Sequence, residues 1–491
     1  MGLLLTLLYI LTAYLGPQTL WGPLADYHIE IIVAFFALIA SIPSMQSSGV
    51  FRLPQSVALA GMCVVVFLSF IFNSLGSLAL QAFLDFLPNV FSFFLIVINF
   101  KKKRHLQLLV AVLLFAGLFT IARGFIALQT NNLASPYLIY QGNDEGGAIY
   151  RLRGLSFIND PNDFSQFIVS LIPCLFFFWV KGRGFRNTLF VVLPTALLLY
   201  GMFLSHSRGA VVALLAVVII ASRRKIGTIP SLIMAGILFV ISVVIGWSGG
   251  REISVEAGSD RLEAWSTGLE LIKHHPIFGV GFQRFSEYFE ITAHNSIVVC
   301  AAELGMVGLF FWVLFVLPTL RDAIVVNTSG TAEQTTEPEE DTPYTRSLGI
   351  RPAVADRVQP APAAAMAYAN AAPSPVPTGH AAYHAKFAPY FAAQDEETND
   401  LSETDIRRMA RLMMIALTGY LVAGWFLSRA YVMTLFIYGG MVEVIYQMAL
   451  THQISPPRLP FLRLTRLSTM TAVALVLIVY IMLRIQHLLP H

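Results

Sequence analysis

The sequence predicts an all-α membrane protein, a polytopic bundle of about 12–13 transmembrane helices. Hydrophobic residues make up 56% of the 491 positions and charged residues only 12%, roughly half the charged share of a typical soluble protein. The apolar positions are gathered into runs about as long as one bilayer crossing. The basic residues cluster between those runs, which is typical of a multi-span protein.

We interpret the apolar runs in order as membrane spans. The first, MGLLLTLLYILTAYL, has no basic region before it and no convincing cleavage site after it, so it predicts a span and not a removed signal peptide. The runs fall near 2–16, 29–45, 56–73, 78–99, 106–125, 162–180, 187–204, 207–221, 228–247 and 293–318, and then at 409–427, 430–449 and 469–488.

The basic clusters orient these spans. The three densest are KKKR at 101–104, Lys181 with Arg183 and Arg186, and RRK at 223–225. Neighbouring clusters are separated by an even number of spans, so all three fall on one face, which the positive-inside rule makes cytoplasmic. The opposite, outer face then receives the loop at 126–161, the corner at 204–208 and a large loop at 248–293.

The chain divides into four predicted parts. These are N-terminal transmembrane helices at 1–125, a core with the outer loops and polar motifs at 126–318, a disordered cytoplasmic segment at 319–408, and C-terminal transmembrane helices at 409–491. The disordered part is Pro/Ala-rich and acidic, a composition that cannot bury a core. It is better interpreted as a tether than as a binding segment. The last helix makes the span count odd and places the C-terminus outside.

Several classes of site are disfavoured. Cys63, Cys174 and Cys300 lie within apolar runs without paired or metal-ligand spacing, so packing is the simplest role for them. No basic stripe with interleaved aromatic residues suggests binding to nucleic acid. We therefore predict no metal, no cofactor and no nucleic-acid partner.

Three polar residues stand out on the predicted outer face. Arg208 interrupts GMFLSHSRGAVVALLAVVII, and an arginine at the bilayer centre costs roughly 2.5–3.5 kcal/mol. The topology places it instead at the membrane boundary, where its side chain reaches the interface. Arg261 lies in the first turn of a helix in SDRLEAW, where a cation opposes the helix dipole. His294 opens the span that begins AHNS.

Taken singly, each of these residues has an ordinary structural explanation. Together they favour phosphate chemistry, because two guanidinium groups form a multidentate clamp for phosphate oxygens. A histidine with an ordinary pKa near about 6.5 can accept a proton from an alcohol at neutral pH. The set therefore predicts that Arg208 and Arg261 hold a pyrophosphate while His294 deprotonates an acceptor hydroxyl.

Further polar residues are predicted to bind substrate. Asp160 and Asn162, in RGLSFINDPNDFSQF, precede a span on the same face and are equally well explained as a helix cap. His206, Ser207 and Asn295 neighbour the residues described above and complete the predicted substrate-binding set. The glycines of HHPIFGVG suit a turn that lets the backbone approach a ligand or another helix.

The motifs SHSRGA, SDRLEAW, HHPIFGVG and AHNSIVVCAAELGMVGL, in this order over about 150–318, resemble the O-antigen ligase/O-antigen polymerase superfamily. The resemblance implies a glycosyltransferase-C-like fold in the bacterial inner membrane and a metal-independent, inverting glycosyl transfer at the periplasmic face. It implies an undecaprenyl-pyrophosphate-linked glycan donor and a lipid A-core or glycan acceptor, with membrane lipids around the protein. Arg208 and Arg261 match the family arginines associated with the donor, and His294 matches the proposed general base.

The sequence separates the activities within this superfamily poorly. A polysaccharide polymerase or a ligase in lipopolysaccharide or exopolysaccharide synthesis is slightly favoured over a protein O-oligosaccharyltransferase. From other classes, a polysaccharide transporter or a non-catalytic scaffold remains open. A transporter is disfavoured because the chain shows no second copy of the polar motifs and its polar groups collect at one face.

Overall fold

The computed structural model describes residues 1–20, 29–142, 148–247, 249, 255–329 and 402–488. Most of the predicted disordered segment falls on 330–401 and lies outside the described residues. The described part is almost entirely helical, and one short hairpin is present.

The long helices follow the predicted spans. They are α1 (Gly2–Leu15), α3 (Ile29–Ser48), α4 (Pro54–Phe72), α5 (Gly76–Asn99), α6 (Lys103–Gln129), α7 (Pro161–Leu175), α9 (Leu193–Leu204), α10 (Arg208–Ile226), α11 (Thr228–Val244), α12 (Val255–His274), α13 (Ser296–Thr328), α14 (Glu403–Gly424), α15 (Met433–Thr451) and α16 (Phe461–Leu488). The shorter helices are α2 (Pro17–Leu20) and α8 (Gly184–Asn187), a π-helix at Thr188–Val192, and 3-10 turns at Val50–Arg52, Ser156–Ile158, Phe176–Phe178 and Phe285–Glu287.

The structure confirms a polytopic, all-α membrane protein. Among the described residues, nine helices are long and apolar enough to cross a bilayer, and α1 and α11 are shorter apolar helices. Two further helices, α10 and α14, carry their charges near one end, in SRRK and ETDIRRMAR respectively. Helix α15 is central, because its side chains are buried from Met433 to Leu450.

Two of the basic clusters lie together, as the predicted topology requires. The start of α6 and the loop after α7 contribute Lys101 and Lys181 to one cavity, together with Arg408 of α14. Lys103 Nζ pairs with Asp405 Oδ2 at 2.7 Å. These three helix ends therefore share one side of the bundle.

The loop predicted at 126–161 contains structure that the sequence analysis did not anticipate. Strands β1 (Leu138–Gly142) and β2 (Ala148–Leu152) form an antiparallel hairpin in which Leu138 pairs with Leu152 and Tyr140 with Tyr150. Leu138 and Leu152 are buried. The apolar ends of the hairpin thus anchor it on the bundle, and its polar residues reach the site described below.

The HPIFGVG segment packs its backbone against a break in α13. Gly305 has φ 69°, outside the helical region. Around it, Val280 N donates to Ala302 O at 3.0 Å and Met306 N donates to Pro276 O at 2.8 Å. A Cβ added to Gly305 would lie 2.2 Å from Ile277 O. The glycines here therefore serve a helix contact, one of the two alternatives that the sequence left open.

The helices flanking the predicted disordered part are longer than expected. Helix α13 continues to Thr328, and α14 begins at Glu403, so the described margins of the 319–408 segment are helical. The extension is held by Asp322, which is buried and pairs with Arg321 at 2.8 Å and Arg458 at 2.9 Å. The Arg458 contact comes from a distant chain segment, which the local composition does not report.

Candidate active site

The structure brings Arg208, Arg261 and His294 to one cavity of 280 Å³. Arg208 is the first residue of α10, Arg261 lies on α12, and His294 immediately precedes the Asn295 cap of α13. Three elements that are distant in the chain therefore meet at the site. Its other polar lining residues are Gln141, Arg151, Asn162 and Asp260.

The cavity has a positive electrostatic character. Arg208 lies at the amino end of α10, where the helix dipole already favours an anion. Burial, and then the nearby Arg208 charge, lower the pKa of Arg261. Two neighbouring guanidinium groups at a helix start are well suited to a ligand with several phosphate oxygens.

Arg151 is a site residue that the sequence analysis missed. It lies on β2 and is buried. Its Nε donates to Ser205 O at 2.7 Å, its Nη1 to Gln141 Oε1 at 2.7 Å, and its Nη2 to Asn162 Oδ1 at 3.1 Å. The guanidinium therefore joins the hairpin, the α9–α10 corner and the start of α7. The sequence feature that indicates this residue is an arginine in a predicted outer loop, where the positive-inside rule makes basic residues uncommon.

His294 is held in an uncommon backbone conformation. Its φ is 46°, in the left-handed region, which costs a residue other than glycine on the order of 1–3 kcal/mol unless its surroundings enforce it. Its backbone N donates to Ser428 Oγ at 2.7 Å, and the next two residues are also anchored. Asn295 Oδ1 accepts from Ile297 N at 2.9 Å, and Ser296 Oγ donates to Leu427 O at 2.7 Å.

The charge state of His294 follows from its surroundings. Burial, followed by the positive charges of Arg261 and Arg429, lowers the pKa of its imidazole, and Asp160 opposes this shift. The neutral form is therefore favoured at neutral pH. A neutral imidazole is the form that can accept a proton.

A second cavity, of 450 Å³, lies on the other side of His294. The two cavities share Asn162, His294 and Leu427. The second is rich in carboxylate, amide and hydroxyl groups, from Asn89, Ser156, Asn159, Asp160, Asn162, Asp163, Gln283, Ser286, Thr292, Glu303 and Ser428. Such a mixture of donors and acceptors is suited to hydroxyl-rich ligands.

Arg429 is the second site residue that the sequence analysis missed. It lines the 450 Å³ cavity, and its Nη2 pairs with Asp163 Oδ2 at 2.5 Å. The Asp163 carboxylate raises the pKa of Arg429 although burial opposes the shift. Arg429 lies in LSRAY between α14 and α15. The sequence feature that indicates it is again a lone arginine in a short loop that the topology predicts to be outer.

Glu303 is a charged residue within the span α13, and the structure places it in the lining of the same cavity. It is buried on α13, and Phe285 N donates to its Oε1 at 3.3 Å. This bond joins α13, the helix that follows His294, to the loop between α12 and α13.

The remaining predicted residues divide into two groups. Asp160 and Asn162 line the cavities, and Asp160 also caps α7 by accepting from Asn162 N at 2.7 Å. Ser207 and Asn295 are buried helix caps, and Ser207 Oγ accepts from Ala210 N at 3.4 Å. Neither they nor His206 are among the described residues lining the two cavities, and His206 Nδ1 instead lies 3.0 Å from Trp247 O. The contacts described for these three residues are structural, and their role in binding substrate stays a prediction.

Within the described ranges, no group of three or more His, Cys, Asp or Glu side chains is arranged to hold a metal ion. The carboxylates of the 450 Å³ cavity are instead engaged with Arg429, with backbone N–H groups and with the cap of α7.

Comparison with known proteins identifies the core of the chain. The family model described as O-antigen ligase matches residues 193–313, a segment that includes Arg208, Arg261 and His294. No curated protein matches the chain. Residues 193–313 thus match the O-antigen ligase family, and this match supports the O-antigen ligase/O-antigen polymerase superfamily for this multi-pass membrane protein.

Proposed function

We propose that the chain transfers a glycan from an undecaprenyl-pyrophosphate donor to a sugar hydroxyl at the periplasmic membrane face, as a polysaccharide ligase or polymerase. The observation that carries the proposal is the meeting of Arg208, Arg261 and His294 at one cavity. The superfamily supports glycosyl transfer in general. The donor, the face and the mechanism are inferred from the chemistry of these residues.

The donor pyrophosphate is proposed to occupy the 280 Å³ cavity. Arg208 and Arg261 stabilise the charge that develops on the leaving oxygen as the anomeric C–O bond breaks. Arginine serves better than lysine here because its planar fork binds two oxygens at once. In this mechanism the two arginines supply the charge stabilisation, and no metal is required.

The acceptor hydroxyl is proposed to approach from the 450 Å³ cavity. His294 lies between the cavities and takes the hydroxyl proton while the oxygen attacks the anomeric carbon. The new C–O bond forms as the bond to pyrophosphate breaks, so the products are the extended glycan and the undecaprenyl pyrophosphate. A single displacement of this kind inverts the anomeric configuration.

The proposal is tested with purified protein, a synthetic lipid-pyrophosphate glycan and an acceptor glycan. We expect His294→Gln to lower the transfer rate by about 100-fold or more, the usual contribution of a general base. Arg208→Lys should also be strongly impaired although its charge is kept. Full activity of His294→Gln would contradict the general-base role. A loss of activity with EDTA that Mg²⁺ restores would contradict the metal-free mechanism.

A further inference from the structure

A large basic cavity lies at the other end of α7 from the active site. It has a volume of 660 Å³ and is formed where α6 and α14 begin and α7 ends. Its basic lining residues are Lys101, Lys102, Lys103, Arg104, Lys181, Arg186 and Arg408. Among the described lining residues, Asp405 is the one carboxylate, and it pairs with Lys103.

Specific hydrogen bonds build this cavity. Arg408 Nη2 donates to Phe176 O at 2.6 Å and to Trp179 O at 2.7 Å. Gln107 Nε2 donates to Phe177 O at 2.9 Å. Side chains of α6 and α14 therefore hold the end of α7, and the like charges are brought together by the fold. Such convergence is electrostatically unfavourable unless an anion occupies the space.

The position of the cavity suits a lipid. Asn162 of α7 lines the active-site cavities and Phe177, just beyond α7, lines the basic one, a separation of roughly 22 Å at 1.5 Å per residue. The two sites thus lie toward opposite ends of α7, and we expect the basic cavity near the membrane surface away from the active site. Trp179 lies in the lining, as is typical of the membrane interface. Phe177, Val180 and Met448 add apolar wall beside the charges.

We propose that this cavity binds the phosphate headgroup of an anionic phospholipid. The basic residues contact the phosphate, and the apolar wall contacts the start of the acyl chains. Basic pockets between transmembrane helices are suited to such headgroups. The proposal is independent of the glycosyl-transfer mechanism.

The chain offers a matched control on the same face. The RRK cluster at 223–225 ends α10 and carries three positive charges, but it is not among the residues lining the basic cavity. If the charged face alone attracts anionic lipid, removing either cluster has the same effect. If the cavity binds lipid, only removal of the basic residues that line the cavity lowers the retention of anionic lipid.

The experiment is native mass spectrometry of the full chain, with phosphatidylglycerol and phosphatidylcholine added in equal amounts. We expect the wild type to retain phosphatidylglycerol preferentially. K101Q/K102Q/R104Q should lower that preference by about tenfold or more, since each basic residue near an anionic lipid surface contributes measurably. R223Q/R224Q/K225Q should leave it unchanged. K181Q/R186Q provides a second variant should the first fail to fold.

Three results would overturn the proposal. They are equal loss of preference in the cavity and control variants, equal retention of phosphatidylcholine by the wild type, and displacement of phosphatidylglycerol by millimolar inorganic phosphate. The last would show that the cavity takes a soluble anion and not a lipid headgroup.

Discussion

At the residue scale, the positions of the arginine side chains distinguish the site from the rest of the predicted outer face. Arg208 and Arg261 make one cavity positive, while Arg429 in the other is paired with Asp163. His294 lies between them in a left-handed conformation that neighbouring hydrogen bonds hold in place. His294 thus lines both cavities.

The pH dependence of the rate follows from the lowered pKa of His294. Burial and the Arg261 charge hold that pKa below its ordinary value of 6.5. Since the base acts when neutral, the rate should stay constant on going down from neutral pH and fall only as the pH drops through the lowered pKa. A kcat/KM–pH profile measures this. An acid limb centred above 6.5 would contradict the predicted surroundings of the imidazole.

At the scale of elements, contacts around the break in α13 fix the helix that follows His294. The HPIFGVG segment binds the helix on both sides of Gly305, and the Phe285–Glu303 bond adds a second attachment. Helix α13 is therefore fixed to the loop between α12 and α13 about two to three and a half turns after His294. The hairpin similarly fixes α7 and the α9–α10 corner through Arg151.

The substitution Gly305→Ala should destabilise the protein. The new Cβ would lie 2.2 Å from Ile277 O, and the residue would keep φ 69°. We expect a cost on the order of 1–3 kcal/mol and a thermal midpoint in detergent lowered by several degrees, with lower transfer activity. Gly236→Ala is the control, because nothing lies within 4 Å of its Cβ position in α11. Equal midpoints for the two variants would contradict the packing argument.

At the scale of the whole molecule, the topology places the two kinds of cavity at opposite ends of the bundle. Neighbouring basic clusters are separated by an even number of spans, so the start of α6 and the end of α7 lie on one side of the bundle. The hairpin and α12 lie on the other side of the bundle, together with the 280 Å³ cavity. The orientation of these sides in the cell is our prediction from the positive-inside pattern.

That orientation is tested by cysteine labelling in spheroplasts. The native Cys63, Cys174 and Cys300 are buried and should give little background. A membrane-impermeant maleimide should label Asn132→Cys, in the exposed loop after α6. It should label Arg183→Cys, in the exposed loop after α7, only after permeabilisation. The reverse pattern would place the active site in the cytoplasm.

The sequence by itself determined the helical membrane architecture and the order of the spans. It also singled out Arg208, Arg261 and His294, three of the residues that line the 280 Å³ cavity. Apolar run length, charge spacing and motif order are local properties, so a single chain reports them. The tertiary structure decided the rest. It placed Arg151 and Arg429 in the site through partners far away in the chain, Ser205 and Asp163. It also showed that Ser207 and Asn295 cap the helices that follow them. Side-chain contacts between distant segments leave no periodic or compositional trace, so only the folded bundle reveals them.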